Sequence, residues 1–222
     1  MDWTAFALSL RLAAWTCALL LPVSVLIGRA LAWRRFLGRG FVEALIALPL
    51  VLPPTVLGYY LLVSLGGTSF LGHAWQSVFG QGLVFHFGGL LAASVLVNLP
   101  FAVQPIQRSF ETIAPEIREA AWISGMSTWT TFRRIEFPLA WPGILTALAL
   151  TFAHTMGEFG VVMMVGGNIP GQTKTIAIAI YDRAQAFDHD AAGTMSVVLL
   201  IFSLLAIGLA HILTGKVGQR YG

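Results

Sequence analysis

Charge is scarce in this sequence. Asp, Glu, Lys and Arg together make up 10% of its 222 residues, where a soluble domain carries roughly 25%. That deficit excludes an ordinary soluble globular domain. Cysteine is scarcer still: Cys17 stands alone in an apolar segment, which excludes an intrachain disulfide and a cysteine metal cluster. The signatures of the commoner enzyme classes are missing too. There is no H-E-x-x-H, no G-x-S-x-G and no G-x-x-x-x-G-K-[ST]. "GQTK" at Gly171 has neither the spacing nor the following Ser/Thr of a phosphate loop. His73, His86, His154, His189 and His211 are scattered over different segments. The chain is therefore expected not to be an enzyme by itself, and to bind no metal or cofactor. A basic leader and a small-residue cleavage site are also lacking. The opening "MDWTAFALSLRLAAWTCALLLPV" is acidic and then apolar for a long run, so it reads as a retained first helix and not as a signal peptide.

What is present is apolar length. Hydrophobic residues make up 57% of the chain, and the mean hydropathy is +0.79. Apolar runs of about 18 residues or more indicate membrane-spanning helices. Five such spans are expected, over about 8–31, 42–65, 83–103, 141–165 and 191–213. Each is long enough to cross ~30 Å of hydrocarbon at ~1.5 Å per residue. The reading is an all-α integral membrane protein, one transmembrane domain over 1–222, with lipid as its surroundings and no nucleic-acid partner.

The positive charges are placed unevenly. Arg29, Arg34, Arg35 and Arg39 follow the first span, Arg108, Arg118, Arg133 and Arg134 lie between the third and fourth, and Lys216 and Arg220 follow the fifth. Only Arg11, Lys174 and Arg183 fall on the other side. The positive-inside rule then puts the N-terminus outside and the C-terminus in the cytoplasm, together with the long loop of about 104–140. Residues 66–81 on the outer side are Gly-rich and carry no Asp, Glu, Lys or Arg; whether they re-enter the membrane is open at this point. "TIAIAIYDRAQAF", apolar first and charged later, suggests a short helix at the outer surface.

Prolines interrupt several spans: Pro22 in the first, Pro49, Pro53 and Pro54 in the second, Pro100 and Pro105 near the end of the third. Proline removes an N–H and disturbs the helical ladder. In lipid the freed carbonyls need protein or water, so broken helices suit either packing or the lining of a pathway. Glu158 is ionisable within an apparent span, which marks a paired or functional position, and His154 four residues earlier shares its helical face. Glu158 reads as a structural anchor bonded to amides of a broken helix, as a gate element, or as a cargo contact. Asn98 and Gln104 face either the pathway or a neighbouring helix. Pro53, Pro54, Asn98, His154 and Glu158 are the candidate pathway or gate residues. Gly167, Asn168, Pro170 and Gly171 form a candidate outer turn, whose backbone N–H groups suit an anion or a partner protein.

The long loop is the most polar part of the chain, although helix connections need only ~2–8 residues. "TIAPEIREAAWISG" has the marks of a short helix. Pro115 suits its first position, Glu116 the positive end of its dipole, and Gly125 a left-handed cap. Ala120 and Ala121 leave room for another surface to approach. Ser127 or Thr128 can cap a second helix, "TWTTFRRIEF", which Pro138 is expected to stop. A helix, a glycine corner and a second helix outside the membrane suggest a docking element for a separate cytoplasmic protein.

Glu119, Ala120, Ala121, Gly125, Ile135 and Pro138 stand at the spacing E-A-A, three residues, G, nine residues, I-x-L-P. This resembles the EAA loop of permease subunits of ABC importers, with Phe137 where that family usually has leucine. A second stretch, "AHTMGEFGVVMMVGGNIPGQTKTIAIAIY", and "LPLVLPPTVLGYYLL" resemble the permeases of molybdate importers. Sulfate and thiosulfate permeases share G-E-F-G, tend to depart from G-N-I-P-G and tend to carry an additional span. The resemblance implies a five-span bundle of the type I importer kind in a bacterial inner membrane. It also implies coupling through 119–138, pairing with a second copy, cytoplasmic ATPase subunits that use ATP-Mg, and a periplasmic or extracellular molybdate-binding protein. Tungstate is not separable from molybdate by sequence. The rival classes are a sulfate importer, an ion-gradient-driven transporter and a membrane scaffold.

Overall fold

The computed structural model describes residues 1–221, with side chains through Leu209 and at Ile212. Lys216 and Arg220, used in the charge reading, lie outside the described side chains. Among the described residues the chain is helical with no strand. The helices are α1 (Trp3–Trp33), α2 (Arg39–Val51), α3 (Pro54–Leu65), α4 (Phe70–Phe79), α5 (Phe87–Glu111) and α6 (Pro115–Ile123). After them come α7 (Thr128–Thr131), a π-helical turn (Phe132–Glu136), α8 (Phe137–Gly157), α9 (Gly160–Gly166), α10 (Ile176–Gln185) and α11 (His189–Tyr221).

Long apolar helices bury their stripes against one another. α1, α5 and α8 pack mutually and form the centre of the bundle. Val25, Ile106, Phe110, Ala140 and Ile144 make one buried cluster there. α11 lies against α8 and α10, and most of it is exposed, with Leu200, Ile201, Leu204 and Leu205 facing outwards.

Among the described residues, four helical stretches are long and apolar enough to span a membrane: Trp3–Trp33, Phe87–Glu111, Thr128–Gly157 and His189–Leu209. The fifth expected span, 42–65, is α2 and α3 together, bent by 113°. Leu52 and Pro53 are extended at the break, and Pro54 opens α3 at its first turn. Two consecutive prolines remove two N–H groups and push Pro53 out of the helical region. The single prolines behave differently from the expected interruptions. Pro22 sits inside α1, and Pro100 and Pro105 inside α5, without ending either helix. One lost ladder bond in a helix held by neighbours is tolerated.

α5 accordingly continues past the expected end at 103 to Glu111. The fourth span, expected over 141–165, begins earlier and stops at Gly157; the remainder is α9, after a break at Glu158 and Phe159. Residues 66–81 contain α4, which Ser69 caps by accepting from Gly72 N and which ends at the left-handed Gly80. Its 10 residues reach only about 15 Å, half a hydrocarbon core.

Pro138 does not stop the second loop helix. α7, the π turn and α8 run on continuously through it. Phe137 N–H donates to Phe132 O, five residues back, so the widened turn absorbs a residue that has no N–H of its own.

Candidate functional site

The two broken helices meet. The break before α3 and the break before α9 lie against each other, and Gly160 shows how closely: a Cβ there would sit 2.7 Å from Pro54 Cβ. Gly58 does the same one turn on, where a Cβ would lie 2.9 Å from Met164 Cβ. Beside this contact is a cavity of about 200 Å³, lined by Pro49, Pro54, Leu57, Phe101, His154 and Glu158 among others. At ~30 Å³ per water it holds a handful of molecules.

A chain of polar side chains crosses the bundle to that cavity. Thr16 Oγ1 on α1 donates to Ser94 Oγ on α5 at 3.0 Å. Asn98 Nδ2 donates to Ser94 O at 2.8 Å. With its amide N–H directed there, Asn98 presents Oδ1 to His154 Nδ1 at 3.1 Å. Phe101 stacks on the His154 ring with centroids 4.1 Å apart. His154 Nε2 then faces Glu158 Oε2 at 3.6 Å, and Glu158 Oε1 accepts from Val161 N at 3.0 Å. Asn98 is fully buried and Glu158 nearly so.

The Asn98 contact makes His154 Nδ1 a donor. Of the sequence candidates, Asn98, His154, Glu158 and Pro54 are brought to this one place. Pro53 lies at the break itself and is exposed. Ser94, one helical turn before Asn98, carries a signal of spacing alone, and Thr16 on α1 carries none.

A second group of candidates lies on the loop side. α6 ends in a Schellman turn: Gly125 has φ +78°, Met126 N reaches Ala121 O at 3.0 Å, and Gly125 N reaches Trp122 O at 2.9 Å. Ser127 Oγ caps α7 by accepting from Thr130 N. Ala121 is buried against its own chain, while Glu119 and Ala120 are exposed. Ile117, Trp122, Ile123 and Trp129 are also exposed, Ile123 at 88%. Ile135 and Pro138 are half-buried.

Behind this face is a contact that the sequence did not point to. Glu136, the last residue of the π turn, is fully buried. Arg29 of α1 grips it through Nε at 2.7 Å and Nη2 at 3.3 Å, and Arg118 of α6 through Nε at 3.1 Å. An acid within a run of basic residues was its only sequence signal.

At the opposite end, the outer turn is tied to α10. Asn168 Nδ2 donates to both Asp182 oxygens at 3.0 and 2.9 Å, and Lys174 Nζ pairs with Asp182 at 2.6 Å. The N–H groups of Gln172, Thr173 and Lys174 all converge on Ile169 O. These three N–H groups close the turn on itself. Gly167 and Gly171 take positive φ, +66° and +76°, on either side of Pro170. α10 is the expected short helix, although Ile176, Ile178 and Ala179 are buried and Ile176 N donates to Ser9 Oγ of α1.

Burial works to raise the Asp182 carboxyl, but hydrogen bonds from Lys174 and Asn168 outweigh it and hold the group below the usual carboxylate range. A depressed carboxylate contributes stability above its unfolded pKa of ~3.9 and loses it as pH falls through the folded value. The melting-temperature gap between wild type and Asp182→Asn in detergent is expected to be widest at neutral pH and to close in acid. A gap that stays constant down to pH ~3 would show that shape, not charge, holds the turn.

Comparison with known proteins places this geometry. The family model for the binding-protein-dependent transport system inner membrane component matches residues 21–221. The molybdenum transport system permease protein ModB of Azotobacter vinelandii is 45% identical over 206 residues, 93% of this chain and 91% of that one. The probable sulfate transport system permease protein cysT of Chlorella vulgaris is 30% identical over 208 residues, 94% of this chain and 78% of that one. In fold, the chain matches a bacterial ABC transporter involved in the import of the acidic polysaccharide alginate. The TM-score is 0.77 at 15% identity, covering 96% of this chain and 78% of the other. With its spanning helices, its paired breaks and its exposed helical corner, this chain belongs to the binding-protein-dependent transport system inner membrane components, the multi-pass permease subunits of ABC importers.

Proposed function

We propose that this chain is the permease that carries molybdate, and with it tungstate, across the inner membrane by alternating access. The observation that carries the cargo assignment is the 45% identity to a molybdenum permease over nearly the full length of both chains. The sulfate relative is 30% identical and is longer than the match. Glu158 of the M-G-E-F-G block, Met156 to Gly160, and His154 just before that block line the cavity between the breaks.

In this reading a second copy completes the pathway. Two cytoplasmic ATPase subunits use ATP-Mg, and the chain itself binds no cofactor and hydrolyses nothing. The exposed Ile117, Trp122, Ile123 and Trp129 around Glu119–Gly125 suit the ATPase surface, since an apolar patch on a polar loop marks a protein contact. A molybdate-binding protein docks at the other end, over Gly66–Gln81 and Gly167–Phe187. The uneven basic residues orient the N-terminus outwards and the C-terminus inwards.

The test is ATP hydrolysis and uptake by the chain reconstituted in lipid with its ATPase and binding protein, the latter loaded with molybdate, tungstate, sulfate or nothing. Stimulation by molybdate and tungstate but not sulfate is expected. Stimulation by sulfate alone would keep the importer and replace its cargo. Failure to assemble with any ATPase would overturn the reading.

A further inference from the structure

The Arg29–Glu136–Arg118 contact lies away from the cavity and directly behind the exposed docking face, and Glu136 is the most fully buried charged residue among those described. Glu136 is 0% exposed. A carboxylate removed from water is stable only with close, well-directed partners, and the forked grip of Arg29 supplies charge-assisted bonds of fixed geometry. Arg118 lies over two indoles, its guanidinium carbon 3.7 Å from the Trp33 ring centre and 5.0 Å from that of Trp122. Trp33 in turn meets Phe110 of α5 edge-on. One carboxylate thus fastens α6 to α1 and to the turn that opens α8.

What those helices carry at their other ends matters. α8 continues from Glu136 for 18 residues to His154, about 27 Å along the axis. α1 runs from Arg29 back to Thr16, where the polar chain to the cavity begins. The two helices joined at Glu136 are therefore the two that hold opposite ends of the Thr16–Ser94–Asn98–His154–Glu158 chain. The fastening point is also the π turn, a local widening that tends to occur at functional positions in helices. Arg118 adjoins Glu119, so displacement of α6 pulls on Glu136 directly.

We propose that Arg29, Glu136 and Arg118 form the joint that passes movement of α6 to α1 and α8, with Glu136 acting as a positioning residue and not as part of the docking face. The proposal rests on the importer reading above, because it needs an ATPase that moves α6.

The experiment uses the whole complex in proteoliposomes and reads three quantities: binding of the ATPase, ATP hydrolysis, and cargo taken up per ATP. Glu136→Gln keeps shape and removes charge. Arg118→Lys keeps charge and loses the Nε bond to Glu136 and the guanidinium contact with the two indoles. In Glu136→Gln, ATPase binding and hydrolysis are expected to persist while uptake per ATP falls about tenfold, within the usual range of coupling between sites. Arg118→Lys falls less, and the double variant falls no further than Glu136→Gln alone, because both residues act in one contact.

Unchanged uptake per ATP, additive losses, or loss of ATPase binding in both single variants would each overturn the joint. Should Glu136→Gln fail to assemble, Arg118→Lys and Arg29→Lys read the same ratio. The wild type reports on the importer assignment separately. A wild type that moves sulfate leaves the joint testable with sulfate, whereas a wild type that binds no ATPase overturns the assignment and the joint together.

Discussion

Glu158→Leu is expected to lose most of the assembled complex, and Glu158→Gln to keep it. Leucine leaves the Val161 N–H without its acceptor at 3.0 Å and leaves His154 Nε2 without the oxygen it faces. A buried N–H left without its acceptor costs about 1–3 kcal/mol, a large share of a total stability of ~5–15 kcal/mol. Glutamine keeps a carbonyl oxygen for Val161 and a polar amide facing His154 Nε2, so it preserves both contacts. The measurement is the yield of monodisperse complex in detergent, with its melting temperature. Equal, wild-type-like yields for both variants would sink the anchoring role and leave Glu158 to be read through transport alone.

Gly125→Val is the second large effect, and it separates folding from coupling. At φ +78° a Cβ would meet nothing within 4 Å, so no clash contributes. The cost is conformational: a β-branched residue in the left-handed region is a steric outlier, at roughly 1–2 kcal/mol or more. That cost falls on the Schellman turn joining α6 to Ser127, far from the α1–α5–α8 core. The chain is expected to remain folded and membrane-inserted while ATP-driven uptake fails. Gly125→Asn, which tolerates this backbone region, is expected to retain much of the activity. Full uptake by Gly125→Val would show that the corner has no part in docking.

The two variants also mark how far the sequence could be read. Gly125 was legible because a helix that begins at Pro115 and closes on a glycine has few other solutions, and cap chemistry is local. Glu158 was legible as an ionisable residue in an apolar run. Its acceptor role towards Val161 required knowing that the helix breaks between Gly157 and Gly160. No proline marks that break, and the packing of Gly160 on Pro54 fixes it from outside the segment. Prolines misled in the other direction. Pro22, Pro100, Pro105 and Pro138 read as interruptions and are carried within continuous helix, because helices packed on several sides tolerate a missing bond that an isolated helix would not.

Composition and local pattern determined what this chain is: a helical membrane protein with its spans in order, a capped helix and glycine corner in the long loop, and the residue types available at its cavity. These follow from the preferences of residues near one another in sequence. The tertiary structure alone decided that the breaks at Pro53–Pro54 and at Glu158 abut, and that Thr16, Ser94, Asn98, His154 and Glu158 form one chain. It alone brought Arg29 and Arg118 onto Glu136 across 107 and 18 positions of sequence. A buried polar group must find a partner wherever the packing places one, and no local preference states where that will be.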